Sequence, residues 1–197
     1  RKMIVNRNIY FAHIPRTAGR FIRDTLIKNG HDVRQYGSYE SHYRGKETLH
    51  LTHPEYHDFL NNYTLKKFSV VREPVSRFIS MINKNWMFNK EKINKMFRSQ
   101  EDFDQTISNE ILNNPSNWFV PQVNFVDHNT KIWKFEDNFK DEFVEWMMYN
   151  FNIKIDKFGS SNEGVEINKI ILNKEKIKYI QNYYYKDYKL FNYEFKS

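Results

Sequence analysis

The 197-residue chain has no cysteine, which excludes disulfides, thiolate nucleophiles and cysteine–zinc sites outright. Glycine and proline are scarce, at six and five residues. No repeat or low-complexity linker divides the chain, so a single domain over 1–197 is expected. No apolar run approaches membrane-spanning length. Blocks of like charge are missing too, which argues against a nucleic-acid-binding arm. The seven histidines lack metalloprotease spacing, so no metal site is expected. What is present is aromatic and basic. Tyr and Phe number 13 and 17; most belong in a core, and the remainder are candidates to line a groove for a flat or sugar-like ligand. Lys plus Arg exceed Asp plus Glu by 31 to 24, a formal charge of +7 that suits anionic ligands and says nothing about fold.

Hydrophobic patterning alternates between strand and helix. Ile9 to Ile14 reads as a first strand, and Gly19 to Lys28 as a helix with a face of Phe21, Ile22, Leu26 and Ile27, ended by Asn29-Gly30. Val33 to Tyr36 is a short strand candidate and residues 37–48 a polar loop. Leu49 to Thr52 is a weak strand, followed by a helix from Pro54 toward Leu60. Lys67 to Arg72 is a second firm strand, and Val75, Phe78, Ile79 and Ile82 give a helical stripe after Pro74. Helices are expected over 101–113, Phe139 to Tyr149 and Lys174 to Tyr185, with a strand at Ile132 to Phe135. This order predicts an α/β fold with a central, mainly parallel sheet flanked by helices.

Two strand–turn–helix units carry the chemistry. In the first, Ile9 to Ile14 runs into Pro15-Arg16-Thr17-Ala18-Gly19-Arg20-Phe21. A turn between a strand and a helix N-terminus aims backbone N–H groups at an anion, and the helix dipole favours negative charge there. Arg16 and Arg20 add fixed charge, and Gly19 lets the backbone approach a ligand. The turn lacks the Gly-x-x-x-x-Gly-Lys-[Ser/Thr] pattern of a magnesium–nucleotide loop. A cradle with Arg16 and no magnesium-binding hydroxyl suits a phosphosulfate better than a triphosphate. In the second unit, Val70-Val71-Arg72-Glu73-Pro74 puts Arg72 at the C-terminal end of a strand, where open α/β sheets bind ligands. Ser80 follows two turns into the next helix, where with Arg72 it can hold a second phosphate.

These two units, His13-Ile14-Pro15-Arg16-Thr17-Ala18-Gly19 and Val71-Arg72-Glu73-Pro74-Val75-Ser76-Arg77-Phe78-Ile79-Ser80, resemble the two nucleotide motifs of the sulfotransferases, most closely the carbohydrate enzymes of the heparan sulfate 2-O and chondroitin type. The resemblance implies a P-loop-like three-layer fold and 3′-phosphoadenosine 5′-phosphosulfate (PAPS) as co-substrate, without a metal. It implies that the first motif wraps the 5′-phosphosulfate through Arg16, Thr17, Ala18, Gly19, Arg20 and Phe21, and that Arg72 and Ser80 bind the 3′-phosphate. More weakly, Trp133 to Asp137 resembles the family's later strand ending in Glu-Asp, Phe158 to Asn162 its cofactor loop, with Ser161 and Asn162 as nucleotide contacts, and Tyr183 to Tyr193 its aromatic C-terminal helix end. The acceptor implied is a hydroxyl, with a saccharide favoured. The compartment expected is cytoplasmic for a complete chain and the Golgi lumen for one cut from a longer anchored protein.

The chain departs from the family at Arg16, where lysine is usual, and at Arg20 and Phe21, where hydroxyls are usual. Arginine keeps the charge but cannot give up a proton, so its help to a leaving group is electrostatic. A base must take the acceptor proton, and histidine titrates in the right range. Leu49-His50-Leu51-Thr52-His53-Pro54 offers His53 first and His50 second, while His13 reads as a core or supporting residue. Gln35 to Arg44, the Trp86 region and Trp118 to Gln122 are candidates for an acceptor cleft. Two rivals stand beside this reading. A non-catalytic module for anionic glycans or nucleotides fits the charge and aromatics but leaves two separated anion motifs unexplained. A nucleotide kinase requires the magnesium-binding hydroxyl that the first motif lacks.

Overall fold

A computed structural model describes residues 2–36, 42–43, 46–47, 50–59, 65–85, 87–160 and 170–195. Its elements in chain order are β1 (Lys2–Val5), β2 (Ile9–Ala12), α1 (Gly19–Lys28), β3 (Val33–Tyr36), β4 (His42–Tyr43), β5 (Lys46–Glu47), α2 (His53–Phe59), β6 (Lys66–Val71), α3 (Pro74–Lys84), α4 (Lys90–Met96), α5 (Gln100–Asn113), β7 (Thr130–Lys134), α6 (Asp141–Phe151), α7 (Lys174–Tyr183) and α8 (Tyr185–Phe191). Short 3-10 turns span Gln122–Phe125 and Phe135–Asp137.

Five strands form one sheet in the order β3-β1-β2-β6-β7, and among the described residues β4 pairs with β5 in a separate two-stranded sheet. The sheet is mixed. β2, β6 and β7 run parallel, whereas β1 is antiparallel to both β2 and β3. The expectation of a mainly parallel sheet thus holds for its centre and fails on the β1–β3 side. The cause is a hairpin: β1 turns into β2 through Asn6 and Arg7, which have positive φ of 49° and 65°, a conformation asparagine accepts at low cost. The expected strand at Leu49 to Thr52 is not formed by the residues described there; Leu51 and Thr52 lead into α2.

Alternation along the strands explains the layers. Val5, Ile9, Phe11, Phe68, Val70 and Trp133 face one side and pack against Ile22 and Leu26 of α1 and Phe143 and Met147 of α6. On the other side Tyr10 and Ala12 meet Leu51 and Tyr56 of the α2 region, while Val71 meets Ile14, Val120, Phe125 and Phe191. A separate apolar cluster joins α3, α4, α5 and α7. Among the described residues no helix is long and apolar enough to cross a membrane.

α3 begins for legible reasons. Glu73 is its N-cap, accepting from the amides of Val75 (3.1 Å) and Ser76 (2.8 Å), and Pro74 occupies the first turn. This places Arg72 immediately before the helix and one residue past the end of β6.

Candidate functional site

The turn after β2 is built to hold its backbone open. Arg16 and Ala18 both have positive φ, 67° and 68°. Left-handed residues alternating along a loop make a concave array of N–H groups. Ala18 is the N-cap of α1 and supplies no side-chain cap, and the Ile22 amide bonds Ala18 O at 3.0 Å. The Gly19, Arg20 and Phe21 amides are the orphan first-turn donors every helix has. The Thr17 hydroxyl is not free to add to them: Thr17 is buried and donates to Ile14 O at 2.9 Å. Thr17 therefore contributes its amide only.

The structure brings the two motifs together. Arg16 Nε donates to Ser80 Oγ at 3.1 Å, and Arg72 Nη1 approaches Arg16 O at 3.5 Å. Arg72 also lies over the Phe135 ring, 4.5 Å from its centroid, a cation–π contact. Burial, and then the charges of Arg72 and Arg20, press the Arg16 pKa downward. This is the signature of crowded positive charge. Arg20 itself is exposed. Phe21 turns aside into an aromatic group, 5.2 Å from Phe139 and stacked at 6.1 Å on Phe158.

Gly19 has a second, steric purpose beside the ligand approach expected of it. Its φ is not left-handed, and a Cβ there would lie 1.8 Å from His13 Nε2 and 2.0 Å from Cδ2. The glycine makes room for the His13 ring, not only for a ligand. His13 Nδ1 is buried with no hydrogen-bond partner among the described residues, and the ring stands 4.9 Å from that of His50. Burial, reinforced by His50, drives the His13 pKa well below its ordinary value. Burial likewise lowers His50 to about 3. Both imidazoles are therefore neutral at physiological pH.

His53 does not join this cluster. Its Nε2 lies 3.1 Å from Asp127 Oδ2, the carboxylate that also binds Lys67 Nζ. Lys67 pairs with Tyr10 and Thr130 at the start of the parallel strands, whereas Arg72 follows their end. The separation along β6 is roughly 16 Å at about 3.3 Å per residue. The first-choice base from sequence thus sits near the opposite end of the parallel strands, because α2 starts only after the chain has run back past Leu51 and Tyr10. Of the two candidates, His50 is the one beside the cradle. Burial works to raise the Asp127 pKa, but hydrogen bonds from Lys67 and Thr130 and the attraction of Lys67 and His53 outweigh it and lower Asp127 to about 2, so at this end of the strands Lys67 is paired with a carboxylate.

No family model, curated protein or solved structure matches this chain.

Several residues that sequence reasoning did not select frame the site. Arg77 is buried, donating from Nε to Pro15 O (3.1 Å) and from Nη2 to Trp118 O (2.8 Å) and Val120 O (3.2 Å). Tyr188 donates to Glu73 Oε1 at 2.5 Å. Glu136 accepts from the Glu73 amide and from Tyr193 Oη, both at 2.9 Å. Burial works to raise the Glu73 pKa, but the bonds from Tyr188 and from Ser76 and Val75 hold it below its ordinary value. Phe119, Val120 and Gln122 are buried, so most of the stretch proposed as cleft lining forms the wall behind the cradle. Ser161, Asn162, Trp86 and most of Gln35 to Arg44 lie outside the described residues. Gly159 donates to Thr25 Oγ1 at 2.8 Å, bringing the chain against α1 just before Ser161. Among the described residues no group of three or more histidine or acidic side chains is arranged to hold a metal ion.

Proposed function

We propose that this chain is a sulfotransferase of P-loop-like fold that moves a sulfuryl group from PAPS to a hydroxyl acceptor, with a saccharide as the favoured acceptor class. The observation that carries the reading is the Arg16–Ser80 hydrogen bond, with Arg72 against the Arg16 carbonyl. Two strand-end motifs that sequence separates by more than fifty residues form one basic cluster at the C-terminal ends of parallel strands, where such sheets bind ligands. A donor carrying a 5′-phosphosulfate and a 3′-phosphate needs two anion sites side by side.

In this reading the amides of residues 17–21 and the Arg16 guanidinium hold the phosphosulfate, and Arg72 and Ser80 hold the 3′-phosphate. The acceptor hydroxyl gives its proton to His50 as its oxygen attacks sulfur. The bond from sulfur to the bridging phosphate oxygen breaks, leaving 3′-phosphoadenosine 5′-phosphate and the sulfate ester. Arg16 and the N-terminus of α1 stabilise the charge that develops on the departing oxygen. A polyanion held next to His50 raises its proton affinity by simple Coulomb attraction, so a histidine that is a weak base in the free protein becomes a stronger one when donor is bound.

Calorimetric titration with 3′-phosphoadenosine 5′-phosphate, 5′-AMP and magnesium–ATP tests this. The expected result is preference for the bisphosphate, and Arg72→Ala weakening the bisphosphate by about tenfold or more while leaving 5′-AMP nearly unchanged, as loss of a charge-assisted contact to one phosphate requires. Preference for magnesium–ATP would favour a kinase, and no nucleotide binding would favour a module for other anions.

A further inference from the structure

Gln122 belongs to neither anion motif, yet it is fully buried and turns both ends of its side-chain amide to one residue, its side chain also bonding Asp187. Its Oε1 accepts from the Arg72 amide at 2.9 Å, and its Nε2 donates to the Arg72 carbonyl at 2.8 Å. Arg72 lies just beyond the ladder. The register of β6 with β2 stops at Ser69 and that with β7 at Val71, so Arg72 lies past the last paired residue of β6 and its backbone groups need partners there. Gln122 supplies them, as a strand neighbour would. Bonds to the N–H and C=O on either side of one Cα restrain its φ and ψ, and with them the direction of the Cα–Cβ bond. That direction decides where the guanidinium emerges.

The amide is itself held in place. The backbone N–H groups of Gln122 and Val123 donate to the two carboxylate oxygens of Asp187 on α8, each at 2.9 Å, and Asp187 is buried. A few residues earlier, Trp118 O and Val120 O receive the Arg77 guanidinium, whose Nε holds Pro15 O at the entry to the first motif. One short stretch, 118–123, therefore registers both motifs against each other. A glutamine buried only to satisfy loose polar groups has no reason to bond both backbone groups of the residue whose side chain faces the cradle.

We propose that Gln122 is a positioning residue that aims the Arg72 guanidinium and thereby sets selectivity for nucleotides bearing a 3′-phosphate over those lacking one. This rests on the role given to Arg72 above. A leucine at this position keeps the volume and loses both bonds. A glutamate is more telling: protonated, it reproduces the donor–acceptor pair, and ionised, it sets an acceptor against the Arg72 carbonyl.

The test is the ratio of dissociation constants for 5′-AMP and 3′-phosphoadenosine 5′-phosphate in the wild type, Gln122→Leu, Gln122→Glu, Arg72→Ala and the Arg72→Ala/Gln122→Leu double variant. Gln122→Leu is expected to weaken the bisphosphate by about tenfold while 5′-AMP changes by less than about threefold, and to add nothing to the ratio once Arg72 is gone, the mark of two residues acting as one. Gln122→Glu is expected to approach wild-type selectivity at about pH 5.5 and to lose it by about pH 8.5, as its carboxyl ionises. Equal weakening of both nucleotides by Gln122→Leu, or an undiminished effect in the Arg72→Ala background, would overturn the proposal. Should Gln122→Leu fail to fold, a ratio in Gln122→Glu that is flat with pH overturns it equally. A wild type that does not distinguish the two nucleotides overturns the role of Arg72 and this inference with it. A selective wild type whose ratio Gln122→Leu leaves unchanged overturns this inference alone.

Discussion

Replacing Gly19 with alanine separates two explanations of the same glycine. The new Cβ would meet His13 Nε2 at 1.8 Å, Cδ2 at 2.0 Å and Cε1 at 2.6 Å. Ordinary contact needs roughly 3.5–4.0 Å, so the ring must retreat by about 2 Å. It has little room, with Phe11 stacked 5.7 Å away and the His50 ring at 4.9 Å. Overpacking of this kind costs about 1–3 kcal/mol, and the upper end fits a displacement this large. Alanine regains up to about 1 kcal/mol of helix propensity, leaving a net loss near 2 kcal/mol. For a chain of this length that lowers the Tm by roughly 4–8 °C. Thermal and urea unfolding without any ligand measure it. The partner variant His13→Ala removes the ring, so in the double variant Gly19→Ala should be close to neutral, a coupling of about 2 kcal/mol. Unchanged or increased stability of Gly19→Ala, with nucleotide binding lost, would refute the reasoning and return the glycine to a ligand-approach role.

Turnover should separate the two histidine candidates: His50→Ala abolishes sulfuryl transfer with bisphosphate affinity retained within about threefold, because a proton acceptor acts on the reaction and not on donor binding, whereas His53→Ala stays active. An inactive His53→Ala with intact fold would move the base to the far end of the strands and sink the assignment. Acid stability has two stages. His50 is depressed to about 3 and His13 is depressed as well, so the unfolded chain takes up protons first. Stability present above about pH 6.5 falls as pH drops toward the folded-state values, at about 1.4 kcal/mol per pH unit for each histidine, and His50→Gln should flatten this limb in urea titrations between pH 7 and 4. Asp127 is depressed to about 2, so its contribution is present above about pH 4 and lost between there and about pH 2. Lys67→Met should shrink that second limb, and an unchanged limb would mean the ion pair does not persist in solution.

The parts of the fold that could be read in advance are those set by short-range chemistry. β2 is a continuous apolar run, β6 ends in the buried Phe68-Ser69-Val70-Val71 after two lysines, the helix after Pro74 has its proline and its apolar stripe, and α5 and α7 lie close to the spans expected. What escaped was set by partners distant in sequence. β1 becomes a strand because Met3, Ile4 and Val5 find Phe11, Tyr10 and Ile9 across a left-handed turn. Asn6-Arg7-Asn8 is the one local signal of that turn. The Arg16–Ser80 contact was foreseen only as two separate anion contacts, since nothing local says that residue 16 reaches residue 80. His53 was preferred over His50 on local sequence, while the deciding contact, Asp127, lies more than seventy residues away. Gln122 carries no signal at all in isolation, because a buried amide is identified only by the backbone it bonds.

The two ends of the central strands treat positive charge in opposite ways, and this bears on what the cradle is for. At the far end Lys67 and His53 share the Asp127 carboxylate. At the cradle, the hydrogen-bond partners of Arg16, Arg72 and Arg77 among the described residues are a serine hydroxyl and backbone carbonyls, although Glu136 and Glu73 act on Arg72 through space. Partly buried guanidiniums without a directly bonded carboxylate are costly. A fold that kept them only for stability gains nothing from leaving them so, since the same sequence pairs lysine with aspartate elsewhere. The arrangement becomes favourable when an anion arrives, because ligand binding then returns the desolvation cost as affinity. Arg77, locked onto three carbonyls, is the structural member of the set. Arg16 and Arg72, half-buried and held at the cradle by an oxygen and a ring face, are the members that keep donors to spare among the described residues.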